Sequence, residues 1–340
     1  MRKLSCFIIL IIFLSEINIS AQDMHFSQFD SSPLNLNPAL TGTFNGDHRI
    51  VGNHRNQWRS ITVPYKTYAF SYDTHFDKIL PINMHVLGLG IQVNADKAGD
   101  GDFGTTQIKL SPAFHKIIKK DSSLVISLGF NVAFNQNSLN YNALYFGNQW
   151  DGAKYNPDFA NNEFFSDNKL TYFDYSIGTN VFYIFKNDIP LNLGIALNHI
   201  NKPKQSFFSE EIIKLNRKFN VNINSCFELT DKADFYPSVI YFRQGKYYEL
   251  NIGGIIKREL DDFNFRNLYF GGWVRARDAA IFKFGFDYRE FIIGLSYDIN
   301  FSKLRIASEN RGGIEISVIY IFNNPKKYDV PFHKQCPVFM

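Results

Sequence analysis

The sequence predicts an all-β protein, an antiparallel transmembrane β-barrel of about fourteen strands in the outer membrane. Period-two alternation is the first observation behind this. Phe291, Ile293, Leu295, Tyr297, Ile299 and Phe301 alternate with Gly294, Ser296, Asp298 and Asn300, and only Ile292 breaks the polar series. Successive strand side chains point to opposite faces, so such a segment has one apolar face and one polar face. Phe282 to Tyr288, Leu191 to Leu197, Leu124 to Phe134 and Ile314 to Phe322 read the same way. Length is the second observation. The segments run near the ~9–11 residues of a bilayer-spanning strand, not the ~5–6 of a soluble one. The third is the chemistry of the faces. Gly, Asn, Ser and Asp with scattered Lys and Arg suit a wet lumen, and Tyr68, Tyr72, Tyr183, Tyr241, Trp273 and Tyr288 stand near segment ends, where an aromatic girdle lies. A soluble sandwich shares the alternation, but not these lengths or this lining. On this register Phe284, Leu295 and Val318 face lipid, and Lys283, Asp298 and Glu315 face the lumen. An arginine at Leu295 is then expected to cost far more than one at Ser296.

The elements follow in order. Residues 1–21 read as a secretory signal: Arg2 and Lys3 form a basic start, Cys6 to Leu14 an apolar core too short to span a bilayer, and Ser20-Ala21 a small-residue cleavage site. Cleavage after Ala21 removes two basic residues and one acidic residue. Residues 22–47 are rich in Pro and Asn but carry Leu34, Leu36 and Leu40, which a solvated linker does not need. They are expected to pack at or inside the periplasmic mouth and narrow the lumen. Strands are predicted at 48–58, 67–76, 86–94, 105–116, 124–134, 172–185, 191–198, 218–228, 235–242, 248–257, 268–275, 281–288, 291–300 and 314–322. Segments 48–58 and 268–275 alternate poorly, and Pro237 weakens its strand. With the first strand rising from the periplasm, the short turns at 119–122 and 230–233 fall inside and the long connections 135–171 and 201–217 fall outside, the usual habit of such barrels. The tail, 323–340, is then periplasmic.

Composition narrows the function. Aromatic residues make up 16% of the chain, mean hydropathy is −0.19, and past the N-terminus no apolar run approaches membrane-helix length, which excludes a polytopic helical protein. A net charge of +4 gives no reason to invoke nucleic acid. The chain lacks the nucleophile-elbow, zincin and phosphate-loop motifs. The His are scattered; His54, His75, His85 and His115 suit lumen or girdle. Asp96 with Asp100-Gly101-Asp102 resembles part of a calcium loop without its closing carboxylate, and reads as an acidic turn. Asp261-Asp262 reads as a solvated pair. No catalytic residue, cofactor or metal is therefore expected, and no enzymatic activity.

Several segments carry a more specific signal. Gln22 to Asp30 reads QDMHFSQFD and Ser32 to Gly42 reads SPLNLNPALTG; Asn53 to Trp58 reads NHRNQW. Near the other end stand Gly294 to Asn300 (GLSYDIN), Gly312 to Ser317 (GGIEIS) and Cys336-Pro337. In combination these resemble the PorP/SprF family of type IX secretion system outer-membrane proteins of Bacteroidetes, over essentially the whole mature chain. The tail departs from the family pattern at Val338, and the region 135–169 matches loosely. The resemblance implies a non-enzymatic barrel serving secretion or cell-surface attachment of particular cargo, including gliding adhesins. Its implied partners are a periplasmic peptidoglycan-binding lipoprotein and the secretion ring, besides outer-membrane lipid. A channel for small solutes or hydrophobic ligands is the alternative. The tail, with Phe332, Cys336, Pro337 and Phe339, offers a docking surface for a periplasmic partner, and a disulfide between Cys226 and Cys336 would staple it into the barrel mouth.

Overall fold

The computed structural model describes residues 23–59, 63–76, 85–118, 123–163, 167–207, 213–302, 308–309 and 311–322. The signal segment and the tail, with Phe332, Cys336, Pro337 and Phe339, lie outside the described residues, and so does the proposed Cys226–Cys336 bond.

One antiparallel sheet closes on itself. Its strands are β1 (His48–Gln57), β2 (Tyr65–Phe76), β3 (His85–Ala98), β4 (Phe103–Ile117), β5 (Leu124–Ser138), β6 (Lys169–Ile184), β7 (Pro190–Asn198), β8 (Lys218–Ser225), β9 (Phe227–Thr230), β10 (Ala233–Gln244), β11 (Tyr247–Glu259), β12 (Asn267–Arg275), β13 (Ala279–Tyr288), β14 (Phe291–Asn300) and β15 (Arg311–Phe322). Each pairs with its sequence neighbour, and β15 pairs with β1 from His48↔Phe322 to Gln57↔Gly313, which leaves no edge. β8 and β9 both pair with β10 and are two pieces of one barrel strand, so the wall has fourteen strands. The ladder lapses opposite Tyr236-Pro237, where proline has no amide hydrogen to donate. No described helix is long and apolar enough to cross a membrane; this chain crosses with strands.

The connections sort by rim. Turns such as 185–189, 231–232 and 289–290 share one rim with Asp47 and Phe322, while the described residues 139–163, 199–207 and 213–217 stand on the other. In the usual orientation of bacterial barrels the long-loop rim is the outer one. β5 and β6 reach further toward it than the alternation predicted, because their outer ends (Asn135 to Ser138, Lys169 and Thr171 around Leu170) are mostly polar and leave no apolar alternation.

Phe284, Leu295 and Val318 point outward and are 42, 46 and 38% exposed, whereas Lys283, Asp298 and Glu315 are buried inside. Arginine at Leu295, near the middle of β14, should therefore destabilise the folded barrel by about 2–4 kcal/mol, falling to about 0–1 at Ile299 near the rim. Denaturant titration in lipid reads the difference, and equal costs at the two depths would refute the placement of the membrane. Ser296 needs a correction. It is 1% exposed and faces a filled interior, not water, so an arginine there has no room and is not cheap.

Candidate functional site: a lumen filled by the N-terminal segment

The lumen is occupied by residues 23–47. Two prolines and two asparagines set their path. Pro33 starts a single helical turn, Pro33–Leu36, and Pro38 starts a 3₁₀ turn, Pro38–Leu40, whose first amide bonds are replaced by the Asn37 side chain accepting from the Ala39 amide at 2.9 Å. Pro33, Leu34, Leu36, Pro38, Ala39 and Leu40 are all buried.

The segment touches every strand of the wall. Going round from β1, Asn53 donates to the Ser31 carbonyl at 3.1 Å, and the Gly42 amide donates to Asp73 on β2 at 2.8 Å. Asn94 on β3 and Lys109 on β4 donate to Asn35 at 2.9 and 3.1 Å. Pro38 lies against Gly129 on β5. Asn37 donates to the carbonyls of Thr179 on β6 (3.0 Å) and Ile195 on β7 (3.4 Å), and Asn220 on β8 donates to the Leu36 carbonyl at 2.9 Å. On the far side Phe29, Leu36 and Leu40 form one apolar cluster with Ile240 on β10, Ile255 on β11, Tyr269 and Trp273 on β12 and Ile281 on β13. Phe29 meets Trp273 edge-on, ring centres 5.3 Å apart. Lys283 on β13 pairs with Asp30. Ser27 donates to Asp298 on β14 at 2.7 Å, and its amide donates to Glu315 on β15 at 2.8 Å.

Glycine makes room where the segment lies on the wall, against its backbone at Gly129 and against the Asn37 side chain at Gly178. A Cβ at Gly129 would stand 2.2 Å from the Pro38 carbonyl carbon, and one at Gly178 on β6 would stand 2.0 Å from Asn37 Oδ1. Gly129 admits no side chain while the segment is in place, and at Gly178 one would displace the Asn37 amide.

Polarity runs along the segment. Near the short-turn rim, Arg49 and Asp73 form a fully buried bidentate pair (2.7 and 2.9 Å), and His115 Nε2 lies 2.8 Å from the Thr41 carbonyl. Further out, Arg55 and Arg275 converge on Asp298 at 3.0 and 3.2 Å, with Glu315 and Glu249 beside them. At the long-loop rim, Asp23 lies 3.3 Å from Lys218 and 3.5 Å from His199, and its amide donates to Gln244 at 3.0 Å. Lys218, Gln244 and Asn198 all end their strands at that rim. The segment thus does not stop at the periplasmic mouth. It traverses the barrel from Asp47 at one rim to Asp23 at the other.

The sequence matches the family described as type IX secretion system membrane protein PorP/SprF over residues 18–320. The chain belongs to that family. No curated protein matches its sequence. Among solved structures, the toluene transporter TbuX of Ralstonia pickettii is similar over 86% of this chain and 94% of its own, with a TM-score of 0.49 at 9% identity. A FadL homologue of Pseudomonas aeruginosa covers 84% of this chain and 93% of its own, with a TM-score of 0.49 at 10% identity. A TodX deletion mutant, a monoaromatic hydrocarbon channel, reaches 0.48 at 9%, covering 84% and 92%. Likeness this loose does not extend to what those proteins carry.

Membership in the PorP/SprF family gives the Ser32 to Gly42 motif its context, and the structure gives it a physical reason. The prolines and Asn37 shape the turns, Leu34, Leu36 and Leu40 fill the lumen, and Gly42 takes a left-handed φ of 76° beside Gly88. Trp273 departs from the girdle expected for it. It is 3% exposed, turned inward onto Phe29, and its indole donates to Ser238 at 2.8 Å. Among the acidic residues, Asp102 pairs with exposed Lys97 at 2.9 Å, and Asp262 accepts two backbone amides of its own turn at 2.8 Å. Cys226 sits at the break between β8 and β9, half-buried.

The outer half of the segment should respond to pH. Burial pushes His25 down to about 4, partly offset by Glu249, so it is held neutral at pH 7. Burial would lower His199 too, but its hydrogen bonds to Asp174 (2.7 Å) and Asp23 raise it to about 9. Burial would raise Asp23, but Lys218 and His199 hold it far below the usual carboxylate range. The stabilisation from neutral His25 is complete above its ordinary 6.5 and is lost as pH falls from there toward 4. That from charged His199 is complete below 6.5 and is lost as pH rises through about 9. Hydrogen exchange by mass spectrometry, corrected for the chemical rate, should show the 23–31 amides opening below pH 6 and again above pH 9. The 34–42 amides should stay protected. Uniform protection across that range would contradict this.

Proposed function

We propose that this PorP/SprF protein is a non-enzymatic outer-membrane component of the type IX secretion system that supports secretion or surface attachment of particular cargo, and that it works as a closed platform. The observation that carries this is the N-terminal segment, which reaches all fourteen strands and lies buried across the lumen with Leu34, Leu36, Ala39 and Leu40 shielded from water. A diffusion channel for small solutes needs an unobstructed path, and a buried chain in contact with the entire wall argues against that alternative. Cargo proteins, far wider than such a lumen, then pass by another component, and this barrel holds or hands on what emerges. The C-terminal tail leaves β15 at the short-turn rim, on the side where a periplasmic lipoprotein or the secretion ring would stand, and it supplies the docking segment with Phe332, Cys336, Pro337 and Phe339.

Quantitative proteomics of surface and medium in a strain lacking the gene tests the reading. A limited set of cargo should disappear from the surface while bulk outer-membrane proteins stay unchanged. A chain ending at Phe322 should assemble as a barrel yet fail to restore that cargo. An unchanged surface proteome in the deletion strain would overturn the function, and full rescue by the shortened chain would overturn the role of the tail.

A further inference from the structure

The long-loop rim is divided by charge. The connection 139–168 carries Asp151, Asp158, Glu163 and Asp167 against Lys154 alone, and the neighbouring turn 99–102 adds Asp100, its Asp102 being paired with Lys97. The next connection round this rim, 199–217, carries exposed Lys202, Lys204, Lys214 and Arg217 along with Glu210 and Glu211 in its sequence, and exposed Lys246 and Arg277 follow on the turns beyond it, so the sign changes there. The acidic side is also aromatic. Tyr145, Trp150 and Phe159 are 70, 58 and 45% exposed on a segment that stands beyond the strands. Large aromatic groups left in water on a charged loop mark interaction surfaces.

Residues 139–163 of this connection are folded, not loose. The Leu139 amide donates to the Asn168 carbonyl at 3.0 Å, closing its base, and the Asn140 amide ties it to Gly101 at 2.7 Å. Gln149, itself buried, donates to the Phe159 carbonyl at 3.1 Å and receives the Phe146 amide at 3.3 Å. Trp150 and Tyr155 form a bridge, and Tyr145 packs edge-on against Tyr155 with ring centres 4.5 Å apart. Asp151 accepts the amides of Ala153 and Lys154 at 2.8 and 2.7 Å, so its carboxylate is fixed and ionised beside Trp150. Internal bonds hold the backbone while the rings and carboxylates stay outside. Such preorganisation lowers the ordering cost of binding.

We infer that this acidic aromatic loop is a docking surface for a cationic, extended polypeptide segment. Lysine and arginine side chains satisfy both features at once, stacking on the ring faces and pairing with the carboxylates. Anionic glycolipid headgroups would be repelled by those carboxylates. The inference rests on the reading above, in which this rim faces outward and meets secreted protein.

The test uses the full barrel in lipid nanodiscs and a fluorescent twelve-residue peptide alternating lysine with glycine and serine, with a glutamate-for-lysine counterpart. The cationic peptide should bind with an affinity that falls steeply as salt rises, and the acidic one should not. Tyr145→Ala with Trp150→Ala should weaken binding at least tenfold. Asp158→Asn with Glu163→Gln should do the same and flatten the salt dependence. This second pair keeps every aromatic contact and remains informative if the first disturbs the loop. Binding unchanged in both pairs would overturn the inference, as would quenching of Trp150 by brominated lipid without peptide, which would assign the rings to the membrane. Peptide binding needs no secretion machinery. It can therefore fail while the deletion strain still loses cargo, or hold while that strain secretes normally.

Discussion

Deleting residues 23–42 should turn a silent barrel into a conducting one. The wall is continuous through β15–β1 pairing and does not use the segment for closure, so fourteen strands can persist around an emptied lumen. Removal uncovers Arg49, Asp73, Lys109, Lys283, Asp298 and Glu315, which water can solvate, and the apolar patch of Ile240, Ile255, Trp273 and Ile281, which it cannot. The emptied barrel should therefore conduct in planar bilayers but be less stable than the parent. Gly129→Leu should reproduce this from the wall side. Its Cβ alone would overlap the Pro38 carbonyl carbon, and backbone cannot yield as a flexible side chain can. Overpacking typically costs about 1–3 kcal/mol, occasionally more. Here the easiest relief is expulsion of the segment, so protease should cut between residues 23 and 42. If the deletion variant stays silent, the segment is not what closes the pore.

Much of the wall was legible because lipid enforces one rule everywhere. Outward residues on β13, β14 and β15 must be apolar, and alternation survives in Phe282 to Tyr288 and Ile314 to Phe322 whatever lies inside. The interior obeys no such rule. β12 alternates poorly because Trp273 and Tyr269 face inward onto Phe29 while Phe270 and Val274 face lipid, giving apolar residues on both faces. β1 alternates poorly because it carries Arg49 and Arg55 inward and His54 outward, stacked on Tyr68 with ring centres 4.4 Å apart. Those irregular strands were the trace of the lumen-filling segment. Reading them as such required the pairing of Ser27 with Glu315 or Asp30 with Lys283, separated by more than two hundred residues, and no local period encodes that.

The candidate site was legible only in outline. Leu34, Leu36 and Leu40 in a Pro- and Asn-rich stretch signalled burial, but how far the segment runs was fixed by Asp23, His25 and Ser27. These three short polar residues carry no hydrophobic signal. Each finds charged partners, Lys218, Glu249 and Asp298, on strands far apart in sequence. The family motif around Gly294 and Gly312 to Ser317 has the same explanation. Gly294 leaves space for Gln28, Glu315 accepts the Ser27 and Gln28 amides, and Ser317 donates to Gln28 at 2.7 Å. Residues 27–28 and the last two strands meet inside the barrel.

Asp298→Asn should release the outer half of the segment. One oxygen of Asp298 receives Arg55 at 3.0 Å, Arg275 at 3.2 Å and the Ser27 hydroxyl at 2.7 Å, and the residue is 2% exposed. Asparagine keeps an acceptor and the shape but removes the charge between two buried guanidinium groups. Removing one partner of a buried pair typically costs about 3–5 kcal/mol. The cost has an outlet, because Arg55 and Arg275 regain water if residues 23–31 leave the lumen. The apolar contacts of Leu34 to Leu40 do not depend on Asp298 and should hold the inner half. Exchange should therefore rise sharply at 23–31 and little at 34–42, with a smaller drop in barrel melting than the local cost implies. Asp102→Asn is the control. Its partner Lys97 is 2.9 Å away, but the two side chains are 46 and 58% exposed, and an exposed pair contributes about 0–1 kcal/mol. If Asp298→Asn moves exchange at 23–31 no more than Asp102→Asn does, the buried charges do not hold the segment, and its outer half stays in place by packing alone.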